Sequence, residues 1–227
     1  MSGKSIGLSD ELHAYVMGVG VREPAVLSRL REETQAMPQS NMQIAPEEGA
    51  FLSLIVELTG ARRCLELGTF TGYSSLAVAL ALPAGGTLLC CDVSEEWTGV
   101  ARRYWTEAGV TDRIELRIGP AIDTLDGILA DGGESSYDLA FVDADKVSYP
   151  AYYDRLIRLV RPGGLMLWDN VFMGGKVLHD TDDTDDTDTD EGVRAVRQLN
   201  ARLAGDDRVN VCMLPLADGV TMVRRRT

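Results

Sequence analysis

Short apolar runs and longer amphipathic segments alternate along this chain, and their rhythm changes near residue 61. Upstream, three helices are predicted. Ser9 and Asp10 cap one that runs to about Met17, Pro24 starts a second reaching about Ala36, and Pro46, Glu47 and Glu48 open a third. The third carries Phe51, Leu52, Leu54, Ile55 and Leu58 as an apolar stripe, with Gly60 as its stop. Downstream, strands are predicted at Cys64–Leu67, Leu88–Asp92, Ile114–Ile118, Leu139–Asp143 and Leu165–Asp169. Helical stretches of roughly 9 to 15 residues separate most of them, which is the rhythm of a parallel sheet covered on both faces. Val209–Leu214 and Val220–Arg224 flank Asp218-Gly219 and predict a terminal antiparallel hairpin. The expected fold is α/β: a doubly wound, mostly parallel seven-stranded sheet in one domain over residues 1–227, with residues 1–45 as a helical extension.

Charge changes this picture at one place. The chain has 22 basic and 35 acidic residues, a net −13, but residues 180–191 alone hold seven Asp and one Glu without a Lys or Arg. Without those eight acids the count is 27 against 22, an ordinary surface with no broad basic footprint, so nucleic acid is demoted as a partner. The acidic run cannot build a core and is expected to be a mobile surface loop. Leu67–Cys91 is free of charge for 25 residues, but Gly68, Gly72, Pro83, Gly85 and Gly86 break it, so no membrane span is predicted. No basic start followed by an apolar run opens the chain. Cys64, Cys90, Cys91 and Cys212 lack C-x-x-C spacing and read as reduced thiols of a cytoplasmic protein.

Candidate chemistry gathers after the strands. Glu66-Leu67-Gly68-Thr69-Phe70-Thr71-Gly72 leads from the first core strand into a helix, and its glycines allow a ligand close to the backbone. The spacing is G-x-x-x-G and not the G-x-G-x-x-G of dinucleotide sites, which weakens an NAD reading. A carboxylate beside the loop suits a cationic ligand such as S-adenosylmethionine. Asp92 ends the next strand, where an acid accepts ribose hydroxyls. Asp143 ends the fourth strand and Asp169-Asn170 the fifth. If those strands are neighbours, two carboxylates and an amide oxygen converge as hard ligands suited to Mg²⁺, with no His or Cys to suggest zinc.

These motifs resemble the cation-dependent class I O-methyltransferases typified by the caffeoyl-CoA and catechol enzymes. The likeness runs from Lys4-Ser5 through Met42, L-E-L-G-T-F-T-G-Y-S (65–74), A-L-A-L-P (79–83), A-G-V (108–110), G-P-A (119–121), F-V-D-A-D-K (141–146), P-G-G (162–164), D-N (169–170) and L-P-L-A-D-G (214–219). The resemblance implies a Rossmann-like methyltransferase sandwich and a homodimer with the N-terminal helices at its interface. It implies that Ile44, Glu66, Gly68, Thr69, Ser74, Asp92, Ala121 and Asp143 line the S-adenosylmethionine site. By the same likeness, Asp143, Asp169 and Asn170 hold Mg²⁺ (or Mn²⁺ or Ca²⁺), Lys146 is the general base, and Lys4 contacts the acceptor. The implied activity is Mg²⁺-dependent methyl transfer to a hydroxyl of a small catechol-type acceptor. The rival readings are a tRNA-modifying member of the family, a non-catalytic adenosyl-ligand module and an NAD-dependent oxidoreductase. Two departures fall on the acceptor side: Val171-Phe172-Met173-Gly174-Gly175 stands where plant members have Trp-x-Gly, and the acidic run is unlike theirs. The run's charge predicts a free catechol in preference to a polyanionic coenzyme A ester.

Overall fold

The computed structural model describes residue 5, residues 7–179 and residues 187–227. Seven strands form one sheet: β1 (Arg63–Leu67), β2 (Thr87–Asp92), β3 (Ile114–Ile118), β4 (Tyr137–Val142), β5 (Val160–Trp168), β6 (Val209–Leu214) and β7 (Val220–Arg225). Their order is β3-β2-β1-β4-β5-β7-β6. The first five run parallel, and β7 pairs antiparallel with both β5 and β6. The expected doubly wound sheet with an antiparallel end is therefore present. The chain moves outward from β1 through β2 to β3, then returns to place β4 on the other side of β1. That reversal opens a crevice at the carboxyl ends of β1 and β4, where open α/β sheets bind their ligands.

Among the described residues eight α-helices accompany the sheet: α1 (Asp10–Gly20), α2 (Ala25–Gln35), α3 (Pro46–Thr59), α4 (Tyr73–Ala81), α5 (Glu95–Glu107), α6 (Ala121–Ala130), α7 (Tyr149–Leu159) and α8 (Thr187–Gly205). Period-two alternation along the strands sorts the core into two layers. Cys64, Leu88, Cys90, Leu139, Phe141 and Leu167 face α2–α5. Leu65, Leu67, Leu89, Val142, Met166 and Trp168 face α6–α8. Burial on both faces is why the parallel strands read as unbroken apolar runs.

Three expectations need correction. The buried edge of α3 is Gly49, Leu52 and Val56, whereas Leu54 and Leu58 are 53% and 71% exposed. The helix is turned this way because Gly49 admits the Tyr73 ring, which would lie 2.6 Å from any added Cβ. β5 begins at Val160, five residues before the predicted start, because Pro162-Gly163-Gly164 is carried within the strand, with a register irregularity against β4 between Tyr137 and Leu139. The acidic run is not all loop: residues 187–191 open α8. The rest of the run, 180–186, lies outside the described residues, as does Lys4.

Candidate active site

The loop after β1 is shaped by what surrounds it. Gly68 has φ +85°, and a Cβ there would stand 2.1 Å from the Asp143 carbonyl oxygen. No other residue type fits. Phe70 is also left-handed, at φ 52°, an uncommon state for a bulky side chain. Asp92 holds the turn in place: its Oδ2 accepts from the Thr69 and Phe70 N–H groups at 2.9 and 2.8 Å, and its Oδ1 from Ser94 N–H at 2.8 Å.

Above this loop lies a cavity of about 490 Å³ lined by Ile44, Gly68, Thr69, Ser74, Asp92, Ala121, Asp143 and Lys146, eight of the residues singled out from sequence. Glu66 is fully buried behind the loop and does not reach the cavity wall. Its Oε1 accepts a weak contact from the Cys90 thiol at 3.7 Å, and its Oε2 has no partner. Burial pushes its carboxyl up to about 8, against the partial relief of the Ser74 and Thr69 hydroxyls.

The second cluster sits where β4 and β5 end. Lys146 Nζ donates to Asp143 Oδ1 at 2.6 Å and to the Tyr149 hydroxyl at 2.8 Å. Tyr149 Oη also lies 2.9 and 3.1 Å from the Asp169 and Val142 carbonyls, so the lysine is pinned to both strand ends. Burial alone would pull the ammonium's pKa down, but Asp143, then Tyr149 and Asp169, outweigh it and hold the proton on. Asp169 is pushed up to about 8 by burial and by the nearby Asp143 charge. Asn170 follows at φ 59°, a conformation Asn tolerates, and its buried Oδ1 has no partner. Asp169 and Asn170 line a smaller recess that shares Met42, Gln43 and Ile44 with the large cavity. Among the described residues no three His, Cys, Asp or Glu side chains group as a metal site. The predicted trio contains two carboxylates and an amide, and Asp143 is turned toward Lys146.

Several residues at the site escaped sequence reasoning. Trp97 lines the large cavity and packs edge-on against Phe70, with ring centroids 5.3 Å apart. Tyr152 lines it too and donates to Asp145. Asp218, noted only as a turn residue, receives the Gly174 N–H on both oxygens at 2.8 and 3.0 Å and ties the β6–β7 turn to the segment after Asn170. Glu48, read as a helix-opening acid, is buried in the recess with Asp169 and Asn170. Local signals existed for Tyr149 and Tyr152, which stand three and six residues past Lys146, but none existed for Glu48 or Trp97.

A β3-β2-β1-β4-β5-β7-β6 sheet with a glycine loop and an acid after β1 and β2 defines a class I methyltransferase architecture. The O-methyltransferase family model matches residues 17–226. Caffeoyl-CoA O-methyltransferase 2 of Zea mays is 43% identical over 225 residues, covering 98% of this chain and 85% of the maize protein. Tricin synthase 2 of Oryza sativa subsp. japonica is 40% identical, covering 99% and 78%. Among solved structures, the O-methyltransferase TomG of Streptomyces achromogenes, involved in tomaymycin synthesis and solved in complex with SAM, superposes with a TM-score of 0.83 at 31% identity, covering 96% of each chain. The chain thus belongs to the O-methyltransferase family, as an S-adenosylmethionine-dependent class I enzyme closely related to the plant caffeoyl-CoA O-methyltransferases.

The raised carboxyl of Glu66 has a consequence for stability. The unfolded chain releases this proton near the ordinary value of 4.5, and the folded protein keeps it to about 8. Its contribution is full below about 4.5 and is lost as pH rises toward 8. Thermal melts of Glu66→Gln, which is neutral throughout, are expected to fall less steeply between pH 5 and 8 than those of the wild type. The flattening is partial because Asp169 adds a slope of the same sign. An unchanged slope would show that Glu66 is ionised in the folded protein.

Proposed function

We propose that the enzyme methylates one hydroxyl of a catechol-type acceptor held beside a divalent cation. The observation that carries this reading is the meeting of two sites at one rim of the sheet. The cavity of Gly68, Asp92 and Asp143 adjoins, across Ile44, the recess of Asp169 and Asn170. The oxygens present fit Mg²⁺: a buried Asp169, an Asn170 Oδ1 without a partner, and, among the described residues, no His or Cys lining the recess. Asp143, Asp169 and Asn170 would hold the ion. Bound there, it would favour the ionised form of a chelated phenol, whose ordinary pKa is about 10.

The remaining work falls to side chains. Asp92, Ser74, Thr69, Ala121 and Ile44 would surround S-adenosylmethionine, with Glu66 behind the glycine loop, and would present its methyl group to the acceptor oxygen. That oxygen displaces sulfur: the new carbon–oxygen bond forms as the carbon–sulfur pair returns to sulfur, leaving S-adenosylhomocysteine and a methyl ether. The phenolic proton goes to Lys146. Because Asp143 keeps that lysine charged, it accepts a proton only when Asp143 is engaged elsewhere, which makes the two assignments interdependent.

The acceptor ring is common to free catechols and to the coenzyme A esters named by the maize relative. We favour the free form on charge. Residues 187–191 open α8, whose Gly192 lies beside Lys146, so the acidic run ends next to the acceptor side. A homodimer would cover Leu12, Tyr15 and Val19 on α1 together with Leu54 and Leu58 on α3, all exposed apolar side chains. Four free cysteines agree with a cytoplasmic setting, and among the described residues no helix is long and apolar enough to cross a membrane.

The decisive assay incubates the protein with S-adenosylmethionine, Mg²⁺ and a panel of free catechols and caffeoyl-CoA, with products read by mass. A methylated catechol is expected, with higher kcat/KM for free catechols, and a preference for caffeoyl-CoA at low salt would overturn the charge argument. Excess EDTA and Asp169→Ala should each abolish turnover while calorimetric S-adenosylmethionine affinity stays within about threefold; full activity in EDTA would remove the metal. Lys146→Ala should lose most of its rate at neutral pH and regain part of it at higher pH or with a more acidic catechol. A loss equal at every pH would make Lys146 a positioning group. Sedimentation should return twice the mass of one chain.

A further inference from the structure

Glu48 is the most anomalous charged side chain of the described residues. It sits in the first turn of α3, is 0% exposed, and its carboxylate oxygens meet no hydrogen-bond donor apart from the Asp169 carboxyl beside them, should one of the two acids carry a proton. Its neighbour Glu47 differs: Glu47 Oε1 meets His13 Nε2 and the Ser5 hydroxyl, each at 3.3 Å. Glu48 instead lines the recess with Asp169 and Asn170, near enough to Asp169 and Asp143 to feel the charge of both. Across the recess, the Asn170 Oδ1 is buried and equally unpartnered. Glu48 and Asp169 thus share the recess, while Asp143 beside it is paired with Lys146, the cation set against all three. Buried charges persist when they are paired or hold a metal, and one ammonium cannot balance three carboxylates. When all are ionised the deficit is two charges, the charge of one divalent ion.

We propose that Glu48 is the positioning carboxylate that sets the charge of the cation site: it holds a divalent ion at Asp143, Asp169 and Asn170 without being one of its direct ligands. The absence of a three-carboxylate group close enough to share an ion, among the described residues, assigns Glu48 this indirect place. The backbone supports it, because Glu48 is delivered by the helix that follows Met42-Gln43-Ile44, the strip dividing the recess from the large cavity. The inference rests on the metal reading above, and the test separates the two.

The test uses the full chain and Mn²⁺ alone as the probe, with free Mn²⁺ read by electron paramagnetic resonance and no substrate present. The wild type is expected to bind Mn²⁺, Glu48→Gln to bind it about tenfold or more weakly, and Glu48→Asp, which keeps the charge, to recover most of the affinity. Calorimetric S-adenosylmethionine affinity should be unchanged in Glu48→Gln. Without metal, Glu48→Gln should melt at or above the wild-type temperature, since its amide can donate to Asp169 where two carboxyls now face each other. A merely structural Glu48 would give the opposite pair of results, a lower melting temperature with unchanged Mn²⁺ affinity, and would overturn the proposal. So would a Glu48→Gln protein that does not fold without metal. If the wild type binds no Mn²⁺, the metal reading itself falls and takes this inference with it; if the wild type binds and Glu48→Gln binds equally, only the role of Glu48 falls.

Discussion

The site depends on the approach of two strand ends at the point where the sheet reverses. β1 and β4 are neighbours, and the Asp143 N–H donates to the Leu67 carbonyl at 2.8 Å while the Gly68 N–H donates to Cys91 at 2.9 Å. The chain must then leave β1 past the Asp143 carbonyl, and the gap admits no side chain at residue 68. This close crossing turns the backbone toward α4, faces the Thr69 and Phe70 N–H groups to Asp92, and leaves the crevice open above Asp143. A methyl group at residue 68 would displace the strand end that carries Asp143, so cofactor loop and cation site share one constraint.

Carboxyl groups accumulate around that rim, and each is handled differently. Asp92 is held by three backbone N–H groups. Glu66, deprived of comparable donors, keeps its proton to well above the ordinary range. Asp143 is paired with Lys146, which is itself held by Tyr149. Asp169 and Glu48 have no cation of their own. The division of labour follows from those environments: the satisfied acid shapes a loop, the buried acid behind it backs a wall, and the acids without a cation partner remain for a metal ion.

The N-terminal helices complete the site. α2 carries Thr34, whose hydroxyl bonds Thr71 within the glycine loop at 2.9 Å, and Glu23 just before α2 accepts from the Tyr73 hydroxyl at 2.6 Å. α3 supplies Glu48, and the segment before it supplies Ile44. At the far side, Ser5 accepts the Ala217 N–H at 2.9 Å, fastening the start of the chain to the turn that carries Asp218. α1 buries none of its residues, which sets it apart as a surface helix.

Periodicity in the sequence determined the central strands, because residues buried on both faces must be apolar whatever surrounds them: β1 and β2 end where the pattern predicts and begin one residue before it, with that first residue exposed. Glycines and strand-end acids determined the rim for the same local reason, since a left-handed turn and a carboxylate after a strand are legible one residue at a time. The direction in which α3 turns was not legible, because Leu54 and Leu58 are as apolar as Leu52, and only the Tyr73 ring against Gly49 decides which side is buried. Nor was the place of Glu48. An acid in a first helical turn reads as solvated and favourable to the dipole, and nothing in its neighbours separates it from Glu47. Only the tertiary structure decided that one of these two acids meets His13 and Ser5 while the other faces Asp169, because the strands that carry the opposing charges lie about a hundred residues further along the chain.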